Sequence, residues 1–320
     1  MSENENIDLN IIADKCQIAT GTNYADIICN LEQLKSNYTD IELIAIYNCF
    51  LQKEFVPEVL VYLLKELDKY RDSSSLDIIT ELLLMRVPIK NSTYAKEDYT
   101  NVRVICAKVI SNFKDHRSVF PLLYCLNNKD DNYKVRLSCA DALGRLGDKY
   151  AVTPLIDVVT DESEKSVYIR ESAAAALGAL GDVRAMDSLV SILETKNGLM
   201  DKFTYLKERV IEALGKLNHN NDRAFKALKN SLYDENPQVR INAIEAIMNY
   251  DSEESLELIK KMLKDADEEV ARNAVIALYN IDGELALKEI LEGDDISPAC
   301  KDEAQKIWED EIEENENSYD

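Results

Sequence analysis

The sequence predicts an all-α fold, an α-α superhelix made of about eight helical hairpins. Three observations support this prediction: a segment that recurs about every 33 residues, an apolar helical arc repeated in each copy, and a scarcity of helix-breaking residues. The chain has 320 residues with 9 Gly and 6 Pro, and 46% of its residues are hydrophobic. No Pro/Gly/Ser-rich linker interrupts it, so we expect one domain.

The recurring segment is clearest from Val135 to Asp148, where the chain reads Val-Arg-Leu-Ser-Cys-Ala-Asp-Ala-Leu-Gly-Arg-Leu-Gly-Asp. Counted from the Arg position, apolar residues stand at minus one, three, six, seven and ten, which is one arc of a helix. Small residues at position six allow a neighbouring helix to approach closely. The six copies open at Val102-Arg103, Val135-Arg136, Ile169-Arg170, Leu206-Lys207, Val239-Arg240 and Val270-Ala271.

Start and stop signals support this register independently. In four copies, a residue able to accept a bond from a free backbone N–H stands four places before the Arg position. Gly147 and Gly181 end two of the helices, and a second helix starts shortly afterwards, as at Ala151. We therefore predict a hairpin that begins with the Val-Arg helix. The predicted N-caps are Asn132, Ser166, Asn236 and Asp267.

These residues resemble the HEAT repeat, in particular the phycobilisome-lyase-type HEAT-like repeat. Its consensus is similar to Val-Arg-x-x-Ala-Ala-x-Ala-Leu-Gly-x-Leu-Gly-Asp followed by Ala-Val-x-Pro-Leu, and the resemblance is strong over residues 101–283. It implies an armadillo-like solenoid with the Val-Arg helices on its concave side. It also implies that each arginine pairs with an acidic or amide group of the adjacent repeat. This ladder consists of Arg103, Arg136, Arg170 and Arg240, and the chain departs from it at Lys207 and Ala271.

The regions outside the clear copies have distinct expected roles. Residues 1–100 keep the apolar spacing and are interpreted as divergent hairpins, and residues 101–296 are the well-matched repeats. Residues 297–308 are expected to form a capping helix, because a solenoid end must be covered. Residues 309–320 hold seven acids and no base, and we expect a disordered tail. The alternative is an acidic arm that engages a basic partner or folds back over the groove.

Composition narrows the partner class. The net charge is −23, with 37 Lys and Arg against 60 Asp and Glu, so nucleic acid is the least expected partner. The apolar stretches are too short for a membrane span, and the start of the chain has no signal-like region, so a cytoplasmic location is expected. The seven cysteines form no Cys-x-x-Cys pair, and Cys106 and Cys139 are expected in the core.

No catalytic, metal-binding or cofactor-binding residues are predicted. The two histidines, His116 and His219, are expected in surface turns, and the absence of any His-Glu pair argues against the iron site of the HEAT-like deoxyhypusine hydroxylases. The alternative to a non-catalytic role is a lyase or protein-modification subunit, similar to the phycobilin lyases. A repeat specifies a surface and leaves the function open, so this resemblance carries no activity by itself.

The expected function is a protein–protein interaction scaffold that binds a partner protein along the concave groove and one loop rim. Positions two, five and nine after the Arg position flank the buried arc and are the groove candidates, although an ordinary solvated helix face has the same pattern. The rim candidates lie in two longer connections, taken to join the first helix of a hairpin to its second. Alternatively, these residues pack inward on the hairpin. The candidates are Lys108, Asp141, Arg145, Arg209, Glu212, Lys216, Glu245 and Asn249 in the groove, and Tyr94, Leu199, Met200 and Phe203 on the rim.

Overall fold

The computed structural model describes residues 23–85, 99–194, 204–217, 221–250 and 252–317, with side chains up to 311. Over these residues it contains seventeen α-helices and no strand, which confirms the all-α prediction. The first helices are α1 (Tyr24–Leu34), α2 (Asp40–Lys53), α3 (Pro57–Tyr70), α4 (Leu76–Leu83), α5 (Thr100–Asn112), α6 (Val119–Asn127), α7 (Tyr133–Leu146) and α8 (Val152–Thr160). They are followed by α9 (Val167–Leu180), α10 (Met186–Glu194), α11 (Thr204–Leu217), α12 (Asp222–Ser231), α13 (Pro237–Met248), α14 (Glu253–Met262), α15 (Glu268–Asp282), α16 (Glu284–Glu292) and α17 (Pro298–Asn317).

The chain divides into two compact units, Met1–Pro154 and Leu155–Asp320. In the first unit, α4 packs on α5 and α6 packs on α7; in the second, α10, α12 and α14 pack on α11, α13 and α15. The hairpin is therefore a short helix followed by a Val-Arg helix, one helix out of phase with the predicted hairpin. In this pairing the two longer connections follow short helices α4 and α10, and each leads to the second helix of its hairpin.

Most of the predicted helix ends are found. The side chains of Asn132, Asn236 and Asp267 accept bonds from backbone N–H groups two residues on, at 2.9, 2.7 and 3.0 Å. Gly147 closes α7 with left-handed backbone at φ 82°, which residues with a Cβ rarely adopt. Ser166 is the exception, because its side chain caps nothing and its backbone N–H instead donates to Glu164 Oε1 at 3.1 Å.

Two glycines let neighbouring Val-Arg helices of the second unit approach backbone to backbone. A methyl group built on Gly178 of α9 would lie 2.8 Å from the Cα of Ala213 on α11. One built on Gly215 of α11 would lie 3.0 Å from the Cα of Ala246 on α13. Both distances are shorter than carbon atoms tolerate, so glycine at this position sets the spacing of the row.

The last helix extends further than predicted. Helix α17 begins at Pro298 as expected but continues to Asn317 and does not end near Trp308. Cys300 and Ala304 are buried on its inner side, and the Tyr279 hydroxyl of α15 donates to Glu311. The part of the predicted disordered tail before residue 318 is therefore helical, and residues 318–320 lie outside the described residues.

No helix in the described part of the chain combines the length and apolar content that a bilayer span requires.

Candidate functional site

The ladder residues bind side chains or carbonyls of neighbouring helices, in some copies across hairpins and in others within one hairpin. Arg103 of α5 donates from Nε to the Leu83 carbonyl at 2.7 Å, and both terminal nitrogens donate to the Asp131 carboxylate at 2.6 Å. Asp131 lies in the turn after α6 and thus belongs to the next hairpin. Burial alone would lower the pKa of Arg103, but the hydrogen bonds and charge of Asp131 raise it. The guanidinium is 5% exposed, so it serves the fold and offers little surface to a partner.

The same tie recurs in the second unit. Arg240 of α13 holds Asp265 through two bonds of 2.9 and 2.8 Å. Where lysine replaces arginine, Lys207 still reaches Asp234, at 3.1 Å. The pairing implied by the HEAT resemblance is thus present at these positions, including one of the two departures.

The other ladder positions have partners as well. Arg136 and Arg170 donate from Nε to the Leu126 and Val159 carbonyls at 2.8 and 2.9 Å. At the second departure, Ala271 has no polar side chain with which to form such a tie. The neighbouring Arg272 forms an ion pair with Glu303 at 3.4 Å.

The groove candidates of the first unit are exposed on two adjacent Val-Arg helices. Lys108 lies on α5, and Asp141 and Arg145 lie on α7. The Lys114 ammonium donates to the backbone carbonyl of Arg145. Lys108 and Asp141 stand at the same offset of two packed helices, and Arg145 lies about one turn beyond Asp141, so the register places the three exposed residues on one side of this pair.

The groove candidates of the second unit gather around one cavity. Glu212, Lys216, Glu245 and Asn249 line a space of about 340 Å³ formed by α11, α13 and α15. Arg209 lies beside it and donates to Glu212 Oε2 at 2.7 Å, and Lys216 donates to Glu212 Oε1, also at 2.7 Å. The other lining residues are Gly215, Asn242, Ala246, Met248, Asn273, Ile276, Ala277 and Asn280.

The two glutamates of this cavity differ in their electrostatic environment. Burial tends to raise the pKa of Glu212, but hydrogen bonds from Lys216 and Arg209 lower it. Burial raises the pKa of Glu245, and the negative charge of Glu212 adds to this rise. Among the described residues, no cation pairs with Glu245. The cavity thus contains one compensated and one uncompensated carboxylate.

Asn273 and Asn280 are not among the predicted groove residues. They stand at positions two and nine of the sixth copy, so the rule that selects Asn249 selects them as well. That copy opens with Val270-Ala271, whereas the predicted groove candidates come only from copies with Arg or Lys at the Arg position.

The remaining candidates add no chemical centre. His116 is exposed in a turn beside Asp115, whereas Tyr94, Leu199, Met200, Phe203 and His219 lie outside the described residues. Cys106 and Cys139 are buried as predicted. In the described part of the chain, no group of three or more His, Cys, Asp or Glu side chains is placed to hold a metal ion.

The uncompensated carboxylate gives a testable effect on stability. Because the folded pKa of Glu245 is raised, the folded state binds this proton more tightly than the unfolded chain, so ionisation costs stability as pH rises through the folded pKa. We expect Glu245→Gln to raise the free energy of unfolding at pH 7 by roughly 0.5 kcal/mol. The gain should vanish below the unfolded pKa. Urea titrations across pH measure it, with Glu257→Gln on α14 as a control that should change nothing; equal gains in both variants would contradict the assignment.

Comparisons with known proteins agree with this geometry. The family model of HEAT repeats matches residues 93–167, 121–200, 197–280 and 226–299. Among solved structures, the complex of CpcE and CpcF of phycocyanin lyase from Nostoc sp. PCC7120 is similar at 23% identity and a TM-score of 0.45, covering 69% of this chain and 92% of that chain. Human deoxyhypusine hydroxylase is similar at 18% identity and a TM-score of 0.34, covering 86% and 96%. Kap95p, from a structure with RanGDP, has 14% identity and a TM-score of 0.52, covering 93% of this chain and 47% of its own.

No curated protein matches the sequence. Structural likeness at such low identity shows the fold alone. The family match, in contrast, covers more than half of the chain. The chain belongs to the HEAT-repeat family.

Proposed function

We propose that this protein is a non-catalytic scaffold that holds a segment of another protein against the exposed face of its Val-Arg helices. The observation that carries the proposal is the cavity on α11, α13 and α15, where four groove candidates lie together. HEAT-type hairpins bury one face to build the stack and leave the other face free for contacts. The rim residues Tyr94, Leu199, Met200 and Phe203 are proposed as a second contact on sequence grounds alone.

The difference in exposure between the ladder residues and the cavity residues supports this role. Ladder residues such as Arg103 and Arg240 are committed to ties within the protein. The cavity residues are more exposed, and Ile276 adds an apolar side chain that is 38% exposed among them. A mixed polar and apolar surface of this kind suits recognition of a polypeptide segment.

An arginine placed in the cavity should remove the partner. We expect Ile276→Arg to weaken partner retention at least tenfold by filling the cavity, because a loss of about 1.4 kcal/mol has that effect. The measurement is native mass spectrometry of the protein purified gently from its own host in low salt. The matched control is Leu285→Arg on α16, which changes a 62% exposed residue on a short helix and should leave retention intact.

Two results would contradict the proposal. Equal retention in both variants would locate the contact elsewhere, and a wild-type protein that carries no polypeptide at all would refute the scaffold role. A bound chromophore, detected in the same sample by visible absorbance, would instead favour the lyase-like alternative.

A further inference from the structure

The cavity of the second unit contains a regular array of asparagines. Asn242 lies on α13 and Asn249 directly follows its last residue, and Asn273 and Asn280 occupy the same two offsets on α15. Seven residues separate the two members of each pair, which places them about 10 Å apart along the helix axis. The copies of α7, α9 and α11 carry Ser, Ala, Arg or Lys at these offsets, and the copy of α5 carries Ile105 and Asn112, so a pair of asparagines is not a demand of the repeat.

Three of these asparagines, Asn242, Asn273 and Asn280, lie within helices, where they disfavour folding unless they serve another purpose. Asparagine has a lower helix propensity than alanine, and its side chain competes for backbone bonds. Asn273 donates from Nδ2 to the Glu269 carbonyl at 2.9 Å, and Asn249 donates to the Glu245 and Gly215 carbonyls at 3.2 and 3.5 Å. Asn280 Nδ2 lies 3.8 Å from Met248 Sδ, and Asn242 Oδ1 accepts from Gln238 at 3.0 Å. The Glu269 carbonyl lies one helical turn before Asn273, where the helix already supplies it with a backbone donor. Breaking these bonds costs little free energy when a ligand offers the asparagine side chain a better acceptor.

An amide side chain offers the same donor and acceptor as a peptide group. A helical ligand has used its backbone groups internally, whereas an extended ligand still presents them along both edges. Neighbouring helices lie about 8 to 10 Å apart, which is close to three residues of extended chain at about 3.3 Å each. An extended segment laid across α13 and α15 would therefore meet the asparagines at a matching interval.

The negative charge of the cavity favours extended segments that carry a basic side chain. Its lining contains two carboxylates and one ammonium, and the ammonium of Lys216 is already bound to Glu212. Glu245 has no cation partner among the described residues. A basic side chain of the ligand would supply the missing charge and would reach the carboxylate in a partly desolvated space.

We infer that this cavity binds an extended segment of a partner protein, whose backbone bonds to Asn242, Asn249, Asn273 and Asn280 and whose Lys or Arg side chain pairs with Glu245. The inference rests on the proposed scaffold function and specifies its ligand. The floor of the cavity is formed by small and apolar residues such as Ala246 and Ala277. It leaves room for a backbone to approach the amides.

Fluorescence polarisation with defined peptide libraries tests the ligand class. The probes are fluorescein-labelled hexapeptides of Ser, Ala and Leu with one central Lys or Arg, the same library with a central Glu, and a helix-stapled version of the basic library. We expect the linear basic library to bind at least tenfold more tightly than either of the others. Asn249→Ala with Asn280→Ala should weaken its binding at least tenfold, and Glu245→Gln should remove most of the preference for basic over acidic peptides.

The controls change matching residues away from the cavity. Asn230→Ala on α12 and Glu257→Gln on α14 should leave binding unchanged, and circular dichroism should show intact helices in every variant. Absence of binding by the linear basic library, tighter binding of the stapled library, or unchanged binding in the asparagine variant would each overturn the inference. If a partner is nevertheless lost in Ile276→Arg, the scaffold function stands with a different ligand; if the wild type carries no partner, the scaffold function itself fails.

Discussion

Replacing Arg103 by alanine should lower the free energy of unfolding by about 3 to 5 kcal/mol, the largest loss expected from a single polar substitution in this chain. The reason is the state of Asp131 after the change. Its side chain is 5% exposed and is held by two charge-assisted bonds of 2.6 Å from the guanidinium. Without them, a buried carboxylate keeps its desolvation cost and loses two charge-assisted bonds, while other contacts such as the Asn132 N–H at 2.7 Å remain.

Urea denaturation followed by circular dichroism measures this effect. Arg117→Ala is the matched control, because Arg117 pairs with Asp115 at 2.8 Å on the surface, where solvent screens the charges and the loss should be much smaller. The double variant Arg103→Met with Asp131→Leu should recover much of the stability, because it removes both charges and keeps the volume. A loss below 1 kcal/mol in Arg103→Ala would show that Asp131 reaches solvent once its partner is gone.

Gly178→Ala should destabilise the second unit by about 1 to 3 kcal/mol, although alanine is the better helix former. The added methyl group would lie 2.8 Å from the Cα of Ala213, which is backbone and cannot rotate away. Relief requires α9 and α11 to move apart, and that movement loosens the packing on both sides of the contact. The steric cost therefore exceeds the gain of about 1 kcal/mol from helix propensity.

The neighbouring residue isolates the propensity effect. Ala179→Gly alters an exposed position of the same helix and should cost about 1 kcal/mol through backbone entropy alone. Thermal melts of the two variants and the wild type provide the comparison. A stabilised Gly178→Ala variant would mean that the two helices separate without penalty.

Much of the fold follows from the repeat pattern, because burial and capping act locally. The apolar arc around Ala142 and Leu143 predicts the buried face of α7, and Asn132 caps that helix as its position indicates. The pairing of helices is less accessible, because a period fixes the spacing of the copies without saying which neighbour completes a hairpin. The packing of α6 on α7 resolves this point.

The differences at single residues have physical explanations. Ser166 is a residue type that often caps helices, but its side chain caps nothing here. Its backbone N–H instead donates to the Glu164 carboxylate in the preceding turn. In the extended part of α17, Glu311 accepts a hydrogen bond from Tyr279 of α15. The acidic composition of the segment gives no sign of this tertiary contact. Asn273 and Asn280 are not predicted because the groove candidates come only from the copies that carry Arg or Lys, although the register of the sixth copy is already assigned.

The ladder also defines the unit in which such a chain can grow or shrink. Three of the ties, those of Arg103, Lys207 and Arg240, are completed by an aspartate that follows the next short helix. A gene segment copied or deleted as one hairpin carries the aspartate of one tie and the cation of the next, so it contains half of each. A segment that begins just after one aspartate and ends at the next contains both the donor and the acceptor of one tie. Heritable changes in repeat number are therefore best tolerated in that frame, which is offset from the hairpin visible in the structure.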